Sequence, residues 1–291
     1  MNIAELSKTF SVPGIKFDEG TNGLTRITVC NSLATGEIYL HGAHVTQFQP
    51  TGAKPVLWMS ASSLFASDKP IRGGVPICFP WFGPLATDPS APGHGFARIT
   101  SWEVASATTT TTGGTEVELR TQIQDFHLSY CVTFGKTLQL LLTVQLSKDS
   151  ASSAKFEEAL HTYFTISDIR NVSIEGLEKI AYIDKVDGAK LKPATGAPIK
   201  FQGECDRVYL HTSDTCRLSD PGMRRSITVA KTGSRSTVVW NPWIAKSAKM
   251  ADFGDDEWPG MVCIETANVG ENSIELSPGQ SHTMMATIAV E

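Results

Sequence analysis

The chain has 291 residues, 41% of them hydrophobic and 19% charged, and a formal net charge of −5. That length and apolar content can bury a sizeable core, and all-β folds often run past 200 residues as one unit. The acidic balance weighs against a nucleic-acid or anionic-membrane partner, either of which needs a basic face.

Taken in chain order, the opening MNIAELSKTFSVPG lacks the basic and then apolar regions of a secretory leader. Ile27 and Val29 alternate with polar neighbours and predict a strand. In HGAH, His41 and His44 have a spacing that puts them on opposite faces of a strand. No third ligand accompanies them, so a zinc site is rejected. A few helical turns are predicted over 60–67. Residues 71–98 (IRGGVPICFPWFGPLATDPSAPGHGFAR) have no usable period, and Pro76, Pro80 and Pro84 exclude a helix or a central strand. The prediction is an ordered, functional loop, tied to the core by Phe79, Trp81 and Phe82.

Further on, the threonines 108–112 read as an edge strand, and Gly113-Gly114 as a primed hairpin turn. Val117, Leu119 and Thr121, then 129–134 and 138–146, alternate as strands rich in Val, Ile, Thr and aromatics. The stretch 138–146 is the nearest approach to a membrane span, and Gln139, Thr143 and Gln145 interrupt it. Segment 156–166 (FEEALHTYFTI) predicts a strand with His161, Tyr163 and Thr165 on one face and Leu160, Thr162, Phe164 and Ile166 toward the core. Residues 227–229 and 283–290 are further strands, SPGQ at 277–280 is a turn, and 245–253 allows a few helical turns. Strands spaced by turns along the whole length, without repeat or linker, predict one all-β domain over 1–291, an antiparallel sandwich or barrel. The six cysteines are scattered with no CxxC pair. They read as buried thiols, which fits a reducing, cytoplasmic setting. A monomer is the default expectation, with no membrane partner.

Several side chains could carry chemistry. His161 is available to a cleft or to a structural hydrogen bond. Glu265, flanked on its strand face by Cys263 and Ala267, is either a desolvated base or a solvated, paired carboxylate. Asp206 reads as a turn residue or a ligand-facing one. Arg72 precedes a Gly-Gly pair and Arg98 follows HGFA. Converging, the two would suit a phosphate through bidentate hydrogen bonds, and otherwise they are separate salt bridges. His94 lies in the same loop. No GxSxG, Walker A or GxGxxG pattern occurs.

In order, IRGGVPICFPWFG (71–83), HGFAR (94–98), EEALHTYF (157–164), DRVY (206–209), VVWNPW (238–243) and MVCIETANV (261–269) resemble the hexose-6-phosphate mutarotases, the glucose-6-phosphate 1-epimerases of the aldose 1-epimerase superfamily. The resemblance implies an all-β, galactose-mutarotase-like β-supersandwich of large antiparallel sheets with few short helices, and an isomerase that interconverts the anomers of a hexose 6-phosphate. It implies His161 as general acid and Glu265 as general base, facing each other across the sugar ring. It also implies that Arg72 and Arg98 bind the sugar phosphate, that Asp206 accepts from sugar hydroxyls, and that His94 lies near the ring. An imidazolium and a carboxylate suffice for that chemistry, so no metal or other cofactor is expected. Two other readings stand beside it, a mutarotase of unphosphorylated aldoses and a non-catalytic sugar-binding sandwich. Gly93 stands where some relatives have a ligand-contacting Gln, and that leaves the sugar preference open.

Overall fold

A computed structural model describes residues 1–291. The period-two segments at 117–121, 129–134, 138–146, 227–229 and 283–290 become the long strands of one eight-stranded antiparallel sheet, whereas Ile27 and Val29 lie in a four-stranded one. In Phe126–Phe134 and Leu138–Leu146 every second residue is buried. The register then sets Leu128 opposite Val144, Tyr130 opposite Leu142 and Val132 opposite Leu140. Alternation puts all of these on one face, and that face has to be covered by another layer. Together with residues of the other sheets they form a single cluster of 61 buried residues.

The second eight-stranded sheet runs, in spatial order, Lys190–Lys192, Tyr182–Asp184, Cys205–Leu210, Ser236–Asn241, Met261–Asn268, Glu158–Leu160 and Ile77–Cys78, with Tyr163–Thr165 also paired to Met261–Asn268. Its central strand, Met261–Asn268, is buried at all eight positions. Val262 and Ile264 belong to the main core, whereas Ala267 joins Cys78, Ala159, Val208 and Val238 in a smaller cluster on the other face. A four-stranded sheet, Ile15–Glu19 through His44–Pro50, and a two-stranded ribbon complete the β structure.

Several local expectations are corrected. Segment 156–166 is not one strand, because Glu158–Leu160 and Tyr163–Thr165 are separate pieces that both pair with Met261–Asn268. Between them Thr162 N–H donates to Leu160 O at 2.9 Å and His161 N–H to Pro76 O at 3.0 Å, which turns the chain at His161. Residues 60–67 form turns rather than a helix, and the second helix is Trp243–Ser247, shorter and earlier than 245–253. A helix at Ile3–Thr9 went unanticipated. Asn2 and Glu5 form a reciprocal capping box at its start, a pattern that saves two orphan N–H groups. The Thr-rich strand is at a sheet edge but ends at Thr109. Its turn is longer than a two-residue primed one, because only Gly113 has positive φ and Thr110 N–H bonds Gly114 O.

The Arg-Gly-Gly motif has a steric reason. Gly73 (φ +110°) and Gly74 (φ +57°) run so close to neighbouring backbone that a Cβ would lie 2.5 Å from Trp58 O and 2.2 Å from Val45 O. Only glycine fits that path. It delivers Arg72 to the face of the second sheet.

Candidate active site

Arg72, His94, His161, Asp206 and Glu265, spread over nearly two hundred residues of sequence, line one cavity of about 270 Å³. Cross-strand pairing explains part of the convergence. Asp206 lies opposite Trp240, Trp240 opposite Cys263, and Cys263 opposite Tyr163, while Val238 lies opposite Glu265. Lys185 N–H bonds Asp206 O, which extends the first row by one residue. Paired residues share a face, so these side chains make one surface. Residues 71–98 form its far wall through Arg72, Phe82, Gly83, Pro84 and His94. A larger hollow, about 470 Å³, lies beside the N-terminal helix. It holds none of the predicted residues, and the imidazole Nε2 of His41 is spent there on Lys69 O.

His161, in the turn between the two strand pieces, stands beside Glu265 of Met261–Asn268, His161 Nε2 being 3.3 Å from Glu265 Oε1. This corrects the expectation that they face each other across a ring. Both are nearly sealed, at 7% and 1% exposure. Glu265 Oε2 and His161 Nδ1 are buried with no hydrogen-bond partner, an expense that native proteins seldom tolerate without a reason. The His161 ring stacks on Tyr163 with centroids 4.8 Å apart and meets Trp240 edge-on. Burial, reinforced by Arg72 and Arg98, pushes the His161 pKa well below its ordinary 6.5. An imidazolium standing at neutrality is therefore not what the free site holds. Burial, aided by Asp206 and opposed by Lys185 and Arg98, pushes Glu265 well above its ordinary 4.5. Desolvation penalises both charged forms, so the pair holds one proton between them over a wide pH range.

Arg72 is already engaged. Its Nε and Nη2 donate to Asp252 Oδ2 at 3.1 and 3.0 Å, and Nη1 donates to Tyr163 Oη at 2.9 Å. Arg98 is not on the cavity lining. Its Nη2 donates to Gly93 O at 2.6 Å, and its Nε is buried without a partner. Asp206 is a strand residue inside the cavity rather than a turn residue, with Lys246 Nζ 3.7 Å away. Burial raises its pKa against the pull of Lys185 and Lys246. Sequence reasoning missed Lys185, Lys246, Asp252 and the floor residue Trp240. Trp240 was inside a noted motif, but no spacing signal marks the other three.

His161, Cys263 and Glu265 bring an imidazole nitrogen, a thiol and a carboxylate oxygen within 4.8 Å of one another. Arg72 and Lys185 on the same cavity oppose a dication there electrostatically. The donor set thus suits proton traffic better than metal binding.

The model of the aldose 1-epimerase family matches residues 25–288. A protein of Escherichia coli (strain K12) named "Putative glucose-6-phosphate 1-epimerase" is 35% identical, covering 91% of this chain and 92% of its own length. One of the same name from Cenchrus ciliaris is 34% identical over 84% of this chain and 78% of its own. A solved structure of a "putative mutarotase" from Salmonella typhimurium superposes with a TM-score of 0.86 at 30% identity, covering 96% of this chain and 94% of that one. With the sandwich, the cavity and these matches together, this chain belongs to the aldose 1-epimerase family.

Proposed function

We propose that this enzyme interconverts the α and β anomers of a hexose 6-phosphate, glucose 6-phosphate foremost. The observation that carries the reading is the buried contact of His161 with Glu265 on the floor of a cavity whose wall presents Arg72 and whose rim presents Lys185. The anomeric hydroxyl and the ring oxygen are bonded to the same carbon, so a donor and an acceptor must also be neighbours to serve both. A separation of 3.3 Å meets that need.

The steps balance on one proton in the pair. Once the pair's single proton has passed from Glu265 to His161 across their 3.3 Å contact, the Glu265 carboxylate takes the proton of the C1 hydroxyl while the His161 imidazolium protonates the ring oxygen. The C1–O5 bond breaks, the C1–O1 bond becomes a carbonyl, and the open aldehyde forms. His161 is then neutral and Glu265 is a carboxylic acid, the arrangement that burial favours. Rotation about C1–C2 turns the other carbonyl face toward the C5 oxygen. Closure reverses both transfers and restores the starting protonation. Each group contributes about 10²–10⁴ as a general acid or base, and fixing both beside one carbon adds an entropic advantage.

Arg72 and Arg98 are proposed to hold the phosphate, Asp206 to accept from sugar hydroxyls, and His94 to contact the sugar. The unused Nε of Arg98 supports an anion beside it. The prior engagement of Arg72 with Asp252 favours instead a mutarotase of neutral aldoses, because a neutralised guanidinium attracts phosphate less. Comparing kcat/KM for glucose 6-phosphate and for glucose decides the matter. A preference for the phosphorylated sugar is expected, and equal or reversed values would replace this reading with the neutral-sugar one. The buried acid–base pair speaks against a purely binding module, which needs neither group. We place the enzyme as a cytoplasmic monomer folded as one domain over 1–291; no helix is long and apolar enough to cross a membrane.

A further inference from the structure

His94 has φ +62°, in the left-handed region that a bulky residue enters only under constraint. The constraints are visible. Its backbone N–H donates to Gly83 O at 2.7 Å, and its carbonyl accepts from Phe79 N–H at 3.2 Å. The Phe82 ring stands perpendicular to the imidazole, with centroids 4.7 Å apart. Gly83 also returns a bond, its N–H donating to His94 Nδ1 at 3.3 Å. The Cys78 Sγ lies 3.3 Å from that same nitrogen.

A backbone N–H can only donate, so His94 Nδ1 has to offer its lone pair. A neutral imidazole that accepts at Nδ1 carries its proton on Nε2. Nε2 has no partner within the protein, and the ring lines the cavity. The buried Cys78 thiol is pushed up by desolvation and so keeps its proton, which makes it a second donor toward Nδ1. The charged and titratable groups facing the ring are Cys78, Arg98, His161, Arg72 and Lys185. Burial foremost, with Arg98 and then the others, favours the neutral ring.

We infer that Cys78 and Gly83 lock His94 into one tautomer, with an Nε2–H donor aimed at a sugar oxygen, and that Cys78 is a positioning residue for substrate recognition. The recognition half rests on the sugar-anomer reading above, whereas the tautomer does not. A neutral donor reads an oxygen lone pair and adds no charge for a phosphate. The loop 71–98 thereby sets a cation, Arg72, and a neutral donor, His94, on one cavity wall.

Long-range ¹H–¹⁵N correlation spectra of the free, ¹⁵N-labelled protein read the tautomer directly, with His94→Asn identifying the signal. The expected pattern is a single Nε2–H tautomer that stays neutral through the pH range where an ordinary histidine titrates. An Nδ1–H tautomer, an exchanging mixture or an ordinary titration would overturn the lock. Cys78→Ser keeps a donor and should keep the pattern, whereas Cys78→Val leaves only the Gly83 N–H at 3.3 Å on Nδ1 and should admit a detectable minority of the Nδ1–H tautomer. In parallel, Cys78→Val should raise KM for glucose 6-phosphate about three- to tenfold, the worth of one hydrogen bond, with kcat changed less, and Cys78→Ser should restore it. If Ser and Val behave alike in the spectra, Cys78 has no positioning role. An intact lock in a protein that does not turn over the sugar phosphate would instead count against the proposed function.

Discussion

His161 and Glu265 touch, 3.3 Å apart and nearly sealed from solvent on the cavity floor, although 104 positions separate them (265 minus 161). The contact exists because the broken strand carrying His161 and the strand carrying Glu265 pair directly. Two groups that each resist charging when buried become a device for holding one proton and passing it.

Removing either member should therefore stop turnover while leaving the sugar bound. Glu265→Gln and His161→Ala should each slow anomer exchange of glucose 6-phosphate by about 10²–10⁴, read by saturation-transfer NMR between the two anomers. Wild-type exchange in either variant would remove that residue from the mechanism.

The pH profile should be bell-shaped. On the acid side activity falls when the pair takes a second proton, and because burial lowers His161 that limb lies below the imidazole's ordinary 6.5. On the alkaline side activity falls when the single proton is lost, and because burial raises Glu265 that limb lies well above the carboxylate's ordinary 4.5. The paired values belong to the dyad rather than to either residue. An acid limb above 6.5 in kcat would contradict the proposed proton count.

Stability should carry the same signature. A carboxyl raised in the folded state binds more protons folded than unfolded between 4.5 and its native value, so the wild type loses stability as pH rises through that window. Glu265→Gln has nothing to ionise there. Its Tm relative to wild type should climb with pH and then level off. A constant difference across pH would mean that Glu265 is not held protonated.

Arg72→Ala and Arg98→Ala should raise KM for glucose 6-phosphate far more than for glucose. Arg72→Ala should also cost stability, because it strands Asp252 and the Tyr163 hydroxyl in a largely buried setting. An uncompensated buried partner costs about 1–3 kcal/mol, and denaturant unfolding measures it. Equal KM effects on both sugars would dismiss the phosphate role, whatever the unfolding result.

Gly74→Ala should destabilise by about 1–3 kcal/mol. The added Cβ meets Val45 O at 2.2 Å and also lies 2.9 Å from the His44 Nε2 that bonds Gly73 O. Chemical denaturation at wild-type midpoint would show that the Arg-Gly-Gly path tolerates a side chain.

Strands such as Leu138–Leu146 were legible in the sequence because one-sided burial imposes a period of two, and that period also names the core residues. The 71–98 loop was legible because proline and glycine forbid regular structure while aromatics forbid disorder. The six ordered motifs carried the family, and with it the expectation that His161 and Glu265 act as acid and base. Other features leave no local trace. The break at His161 depends on a bond to Pro76 O, whereas the short helix Ile3–Thr9 does leave one in the Asn2-to-Glu5 capping-box spacing.

Only the tertiary structure decided the electrical state of the site. Which charges are paired, as Arg72 is with Asp252, and which are desolvated, as Glu265 is, depends on distances between residues far apart in the chain. Sequence named an acid and a base and set them across a ring. Packing set them side by side and pushed both toward neutrality, because the free energy of a charge is fixed by its surroundings.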